Sequence, residues 1–227
     1  MKKLLKFLFW TVPKWFVILS VTIVLVYRWV PVTKTMTMLK RTLEYRGDSS
    51  SQVNQKWIPM KGNSTTMAKV SIAAEDPGFF VHDGFRDGEV KTELNRFKIG
   101  EREITGAGTL SQKTAQAVFM TGCNTWAGFG IRAWLTFLIE HIWGKRRIAE
   151  VYMNVAEYGP GLFGVEAASE HYYGLPVSEL GIDGMAALAL CADNPVKMTP
   201  SLVNTSYRWE RYLVECQERQ MTFPDWK

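Results

Sequence analysis

The apolar positions of this chain fall into two regimes. From Phe7 to Tyr27 they dominate an almost continuous run, interrupted by Pro13 and Lys14, and Trp15–Tyr27 carries no charge. Joined to Phe7–Val12, the run is long enough to cross a hydrocarbon core of about 30 Å as a helix. Trp10, Trp15, Tyr27 and Trp29 are placed as interfacial aromatics are. Farther on, apolar stretches are shorter and take helical spacing, with few alternating β-branched runs. Helices are predicted at Met67–Asp76, stopped by Pro77-Gly78, at Thr109–Met120, at Gly130–Trp143 and, past Gly144, at Lys145–Asn154. Two more fall near Gly164–Tyr173, closed by Gly174, and Asp183–Ala192, closed by Asn194-Pro195. A last amphipathic helix is predicted at about Ser201–Gln220, and Gly84–Gly106, rich in mixed charge, reads as a mobile surface segment. The fold class is mainly α with one N-terminal transmembrane helix.

A cleaved signal peptide is the rival reading of the first run. The run is long for one, and Arg28-Trp29-Val30-Pro31-Val32 offers no small-residue cleavage site, which favours an uncleaved anchor. Flanking charge does not orient it, because Lys2, Lys3, Lys6 and Lys14 are balanced by Arg28, Lys34, Lys40 and Arg41. The domain plan is a tail at 1–6, an anchor at 7–30, a stalk at 31–56 and a domain at 57–227, without internal repeats.

At 227 residues there is room for one anchor and one domain, and 47% apolar residues with nine Trp supply a packed core. The formal charge of +5 suits nucleic acid, anionic lipid or a phosphate-bearing substrate, and membrane attachment argues against the first. Cys123, Cys191 and Cys216 are odd in number and widely spaced, which excludes a fully paired disulfide framework and any CxxC motif; Cys191 reads as a buried core thiol. His82, His141 and His171 lie far apart, and no metal site can be read.

Three stretches carry candidate chemistry. Glu75 and Asp76 end an apolar helix, where the helix dipole disfavours acids, and Phe79 and Phe80 follow at once. A carboxylate so placed should bind its proton more tightly than usual, which suits a general acid or base; a pair of solvated acids in a turn is the equal rival. Gly106-Ala107-Gly108-Thr109-Leu110-Ser111-Gln112-Lys113 is a glycine-rich turn entering a helix, with Thr109 and Gln112 at capping-box spacing. Taken alone it is a structural cap, although free N–H groups plus Lys113 would also make an anion site. Lys145, Arg146 and Glu150 stand at spacings that permit pairs on one helix face, which ordinarily means a solvated charged surface.

Together these stretches say more. Glu75, Asp76, Phe79, His82 and Gly84 meet Glu-Asp-x-x-Phe-x-x-His-x-Gly; Gly106, Ala107, Thr109 and Gln112 meet Gly-Ala-x-Thr-x-x-Gln; Lys145, Ile148, Glu150, Tyr152 and Asn154 meet Lys-x-x-Ile-x-Glu-x-Tyr-x-Asn. Glu157-Tyr158-Gly159, Gly164–Ala168 and Tyr173-Gly174 continue in order. From about Trp57 to Pro200 the chain resembles the monofunctional peptidoglycan glycosyltransferases, whose domain also forms the N-terminal part of bifunctional penicillin-binding proteins.

The resemblance implies a lysozyme-like helical domain at the outer face of the plasma (inner) membrane, single-pass and facing the periplasm. It implies polymerisation of lipid II into glycan strands for cell-wall synthesis. Glu75 would be the general base on the acceptor's 4-hydroxyl, with inversion at the anomeric carbon and departure of the lipid diphosphate. By the same resemblance Glu75 and Asp76 are the catalytic candidates. His82, Thr109, Gln112, Lys113, Arg132, Lys145, Glu150 and Asn154 are the substrate-binding ones. Implied partners are lipid II, the growing glycan, the membrane and other wall-synthesis proteins, with no nucleic acid; Mg²⁺ is the one candidate cofactor.

The chain departs from the family pattern at several of these positions. Gly108 stands where the family has Ser, Lys113 where it has a second Gln, Gln116 where it has Lys and Ala117 where it has Asn. Counting back from Lys145 puts Asn124 at a phosphate-binding Arg, Gly128 and Phe129 at an Arg-Lys pair, and Arg132 at a second catalytic Glu. Two readings follow: a rebuilt diphosphate site using Lys113 and Arg132, or a non-catalytic precursor binder or scaffold. A third, a lytic lysozyme-like enzyme with Glu75 as general acid, needs only one well-placed carboxyl.

Overall fold

A computed structural model describes residues 2–47, 52–86, 88, 108–122 and 125–203. Most of Gly84–Gly106 and all but the start of the helix expected at Ser201–Gln220 lie outside these residues, as does Asn124.

The first helix, α1 (Lys2–Tyr27), contains the apolar span Trp10–Tyr27. Trp10, Trp15 and Leu19 on it are exposed, an arrangement that favours lipid over water. Its C-terminal end is fixed by polar contacts with the domain. Trp143 donates from Nε1 to Val24 O at 2.7 Å, and Trp134 donates from Nε1 to Ser20 Oγ at 3.0 Å. Arg147 donates to Tyr27 O and Val30 O at 2.9 and 2.6 Å, placing a cation on carbonyls that a helix end leaves without intrahelical donors.

The segment expected to be a stalk is instead built into the domain. It holds α2 (Met36–Glu44) and β1 (Asn54–Gln55), Val32 and Met38 join the main core, and Val53 packs against it. Thr35 caps α2 by accepting from Met38 N at 3.1 Å. The cause is tertiary: the polar stretch around residue 50 has the composition of a linker, but β1 pairs in parallel with β3 (Leu162–Phe163). β3 pairs antiparallel with β2 (Glu157–Gly159), giving a small sheet in the order β1-β3-β2.

The helices of the domain are α3 (Asn63–Glu75), α4 (Leu110–Phe119), α5 (Trp126–Ile142), α6 (Gly144–Val155), α7 (Val165–Tyr173), α8 (Ile182–Cys191) and the short α9 (Pro200–Val203). The architecture is mainly helical, as expected. α3 begins four residues before the expected start. Ser64 Oγ there accepts from Lys61 N at 2.7 Å and ties down the turn at Gly62, so the polar residues 63–66 are wound into the helix. α5 also begins early, because Thr125 Oγ1 accepts from Gly128 N at 3.0 Å and overrides the breaking tendency of Gly128 and Gly130. α7 closes at Gly174, whose φ of +68° is the left-handed cap that glycine adopts without strain.

α4 is the hub. It packs against α2, α5 and α6, while α3 packs on α6 and α8, and α5 lies along α1. One continuous core, with Phe79, Leu110, Ile139, Ile148, Met153 and Tyr158 fully buried, runs from the end of α1 through the expected stalk to α8. The ends of α3 and α4 are thereby held beside the middle of α6, and that is where the acids meet the cations.

Candidate active site

α3 stops because Pro77 cannot continue it, and this leaves Glu75 as the last helical residue and Asp76 as its C-cap. The two acids have opposite surroundings. Asp76 is fully buried and turns toward the start of α4, where its Oδ2 accepts from Leu110 N and from His82 Nε2, both at 2.9 Å. His82 Nδ1 accepts from Gly84 N at 3.1 Å, so the ring's proton sits on Nε2, facing the carboxylate. Arg86 Nε lies 3.4 Å from Asp76 Oδ1. Thr109 Oγ1 donates to Gly84 O at 2.7 Å and accepts from Gln112 N at 3.2 Å, while Gln112 Oε1 accepts from Thr109 N: a capping box. Gly84 is required here, since its φ is +88° and a Cβ would sit 2.8 Å from Thr136 Cγ2.

A second buried knot adjoins the first. Glu140 accepts from Ser111 Oγ and from Lys145 Nζ, the latter at 2.7 Å. Lys145 also donates to His82 O at 2.6 Å and stands 4.6 Å from the centre of the Phe79 ring. These contacts make Asp76, His82, Thr109, Gln112 and Lys145 the frame that holds the α3–α4 junction.

Glu75 faces the other way, between α4 and α6. Tyr152 donates from its hydroxyl to Glu75 Oε1 at 2.8 Å, and the Lys113 ammonium pairs with Glu75 Oε2. Burial pushes the Glu75 carboxyl above the usual range; Lys113 works against that shift and Asp193 adds to it. Burial opposes the Lys113 charge, but Glu75 and Asp193 outweigh it, so the lysine stays protonated past its ordinary range. Beside the pair lies a cavity of about 210 Å³ whose wall includes Lys113, Gln116, Arg132, Tyr152, Glu157 and Asp193. Arg132 is buried, with Nη1 3.4 Å from Gln116 Oε1 and its guanidinium 5.6 Å from the centre of the Phe129 ring. Ligand pockets usually span roughly 300–1,000 Å³. A diphosphate or a fragment of a sugar fits a space of this size.

A family model described as Transglycosylase matches residues 41–217. The biosynthetic peptidoglycan transglycosylases of Yersinia pestis (strain Pestoides F) and Yersinia pseudotuberculosis serotype IB (strain PB1/+) are each 40% identical over 176 residues, covering 77% of this chain and 73% of theirs. The chain belongs to the transglycosylase family.

Within this transglycosylase the residues singled out from sequence separate into two groups. Lys113 and Arg132 line the cavity, and Glu75 lies directly behind Lys113. Glu150 and Asn154 do not reach it: Asn154 is fully buried, exchanging hydrogen bonds with Ile58 N and O at 2.9 Å, and Glu150 accepts from Met60 N at 3.0 Å and Arg147 Nη1 at 2.7 Å. They brace residues 58–60 against α6, a task invisible in a one-dimensional motif. Nor does Lys145 pair with Glu150 on the helix face; it turns back to Glu140. Asp76, expected to be catalytic, is enclosed by His82, Leu110 and Arg86.

Tyr152, Gln116, Glu157 and Asp193 also line the cavity, although the sequence motifs do not mark them as site residues. Tyr152 carried a usable signal, its fixed place between Glu150 and Asn154 in the third motif; Asp193 carried none. Of the positions that depart from the family pattern, Lys113, Gln116, Ala117 and Arg132 line the cavity. Lys113 and Gln116 lie one turn apart on α4 and line the cavity with Arg132, and of the two it is the cation Lys113 that pairs with Glu75. Gly108 has a matching cause: its φ is +132°, and a Cβ would sit 2.7 Å from the capping oxygen of Gln112.

Proposed function

We propose that this transglycosylase is a membrane-anchored peptidoglycan glycosyltransferase that extends glycan strands from lipid II, with Glu75 as general base and a rebuilt diphosphate site at Lys113 and Arg132. The observation that carries this reading is Glu75 itself, a buried carboxylate with raised proton affinity beside a cavity that two cations help line. Such a carboxylate is a stronger base than a solvated one once it is ionised.

In the reaction the acceptor's 4-hydroxyl gives its proton to Glu75 as its oxygen bonds the donor's anomeric carbon. The bond from that carbon to the diphosphate oxygen breaks on the opposite face, its electron pair leaves with the lipid diphosphate, and the configuration inverts. Charge develops on the departing oxygen, and Arg132 can meet it with two parallel N–H bonds. Lys113 adds a point charge. Arg41 neutralises Glu157 at 2.9 Å, so that carboxylate does not repel the leaving group.

Attachment to the inner membrane with the domain in the periplasm is part of the proposal. It is supported by the apolar span of α1 and by the bond between Trp134 and Ser20, which lies seven residues, about 10 Å of helix, inside the span from Tyr27. That bond brings α5 down beside the anchor, where lipid-borne substrates reside. Mg²⁺ finds little support on the cavity wall, since Glu157 and Asp193 are each paired with a cation. Adding EDTA to the assay tests it.

One observation favours a second reading: the Lys113–Glu75 pair occupies the base in the free protein. A non-catalytic lipid II binder would keep that pair permanently. Incubating the full-length protein in detergent with lipid II, beside Glu75→Gln, separates the two: glycan made only by the wild type supports the enzyme, and binding without glycan supports the binder.

A further inference from the structure

Lys113 stands between Glu75 and the cavity. The Glu75 side chain is only 3% exposed, whereas Lys113 is 20% and Asp193 58% exposed. Lys113 and Tyr152, the two residues bonded to the Glu75 oxygens, form part of the cavity wall, and Glu75 lies behind them. An acceptor hydroxyl arriving from this cavity therefore meets an ammonium group rather than a carboxylate.

The lysine is also held unevenly. Its second partner, Asp193 Oδ1 at 3.2 Å, sits at the exposed rim, so the ammonium already bridges a buried acid and a solvated one. The four-carbon stem turns about single bonds, and its charge is a point charge without the fixed fork of an arginine. A lipid diphosphate brings two negative charges into the same space, against the single charge of Glu75. Arg132, on the same wall, is in place to hold the other side of the diphosphate.

We propose that Lys113 is a transferable cation, which covers and pairs with Glu75 in the free protein and moves onto the diphosphate of the bound lipid donor, uncovering Glu75 for the acceptor hydroxyl. The proposal rests on the reading of the protein as a lipid II enzyme. It turns the Gln-to-Lys departure into a device: the base is masked until the leaving group is in place. Lys113 is a positioning residue toward Glu75 and a binding residue toward the donor.

The handover has a thermodynamic signature that does not depend on turnover. Lys113 lowers the proton affinity of Glu75, so its departure raises that affinity, and donor binding must draw protons from solution. The other groups facing Glu75 are the hydroxyls of Tyr152 and Tyr158, the carboxylate of Asp193, and Arg86, whose Nη2 lies 3.4 Å from the Glu75 carbonyl oxygen. Asp76, the next residue, is tied to His82. None of these need move.

The experiment is calorimetric titration of lipid II into the full-length protein in detergent micelles, at mildly acidic pH and in two buffers of different ionisation enthalpy. Lipid II is a diphosphate diester, and its phosphates do not titrate near neutrality. The expected result is uptake of up to about one proton per lipid II bound at mildly acidic pH, falling away at higher pH where the uncovered Glu75 stays ionised and is available as base; the uptake is lost in Glu75→Gln and in Lys113→Met and kept in Lys113→Arg. Binding by the wild type without proton uptake overturns the handover, and so does uptake that survives in Glu75→Gln. If Lys113→Met does not fold, Lys113→Gln takes its place, because the charge of the bound diphosphate alone also raises the proton affinity of Glu75 and only a variant without the cation separates that effect from the handover. Absence of binding refutes the lipid II reading and the handover with it. Proton uptake without any polymerisation leaves the handover standing and refutes only catalysis.

Discussion

Replacing Asp76 by Asn distinguishes a catalytic carboxylate from a structural one. Asp76 is fully buried, and its Oδ2 accepts from Leu110 N and His82 Nε2, each at 2.9 Å. A hydrogen bond to a charged group contributes about 1.5–3 kcal/mol. Asn keeps an acceptor oxygen for one donor but presents an N–H₂ or a neutral oxygen to the other, and it loses the attraction of Arg86. The net cost is then about 2 kcal/mol. For a chain of this length each kcal/mol lowers Tm by about 2–4 °C, so a fall of about 4–8 °C is expected. The nine Trp residues make intrinsic fluorescence in detergent the natural readout. Below the new Tm the folded variant should keep most of its lipid II binding and a polymerisation rate within about tenfold of wild type, because Asp76 does not face the cavity. An unchanged Tm with a rate loss of about a thousandfold or more would refute this and return Asp76 to the chemistry.

Other substitutions probe the cavity and its frame. Tyr152→Phe removes the bond that lowers the proton affinity of Glu75; a general base works only when ionised, so the acid limb of the pH–rate profile should move to higher pH while the alkaline side stays in place. An unmoved limb would detach Tyr152 from the base. Arg132→Glu puts an acid on the diphosphate wall, and polymerisation should fall by about a hundredfold or more, since losing one preorganised stabilising group costs that much; a gain in rate would instead mark position 132 as the place of a missing acid. Gly108→Ser forces a side chain onto a φ of +132° and into the Gln112 cap, and should lower stability by about 1–2 kcal/mol in thermal unfolding.

Sequence patterning located most helices of the domain because their apolar stripes and closing signals are local. The capping box at Thr109 and Gln112 and the stop at Pro77 are cases where neighbouring residues decide the geometry. Where distant partners decide it, the pattern misled. Residues 31–56 read as a stalk because their burial depends on α4 and β3, and the bonds of Glu150 and Asn154 to Met60 and Ile58 join residues about ninety positions apart, which no local motif contains. The site shows the same division. The placing of Glu75 at the end of an apolar helix pointed to a carboxyl with raised proton affinity, and burial is the main cause in the structure. That Lys113 would close on Glu75, with Asp193 as its second partner, depends on how α3, α4 and α8 pack, and no spacing rule contains it.

The most direct test of the central claim is the polymerisation of lipid II by the full-length, detergent-solubilised protein, measured beside Glu75→Gln, with folding of both followed by Trp fluorescence. The account expects the wild type to make glycan strands and the variant, equally folded and still binding lipid II, to make none. Glycan formation by Glu75→Gln at the wild-type rate, or none by a wild type that binds lipid II, would contradict it.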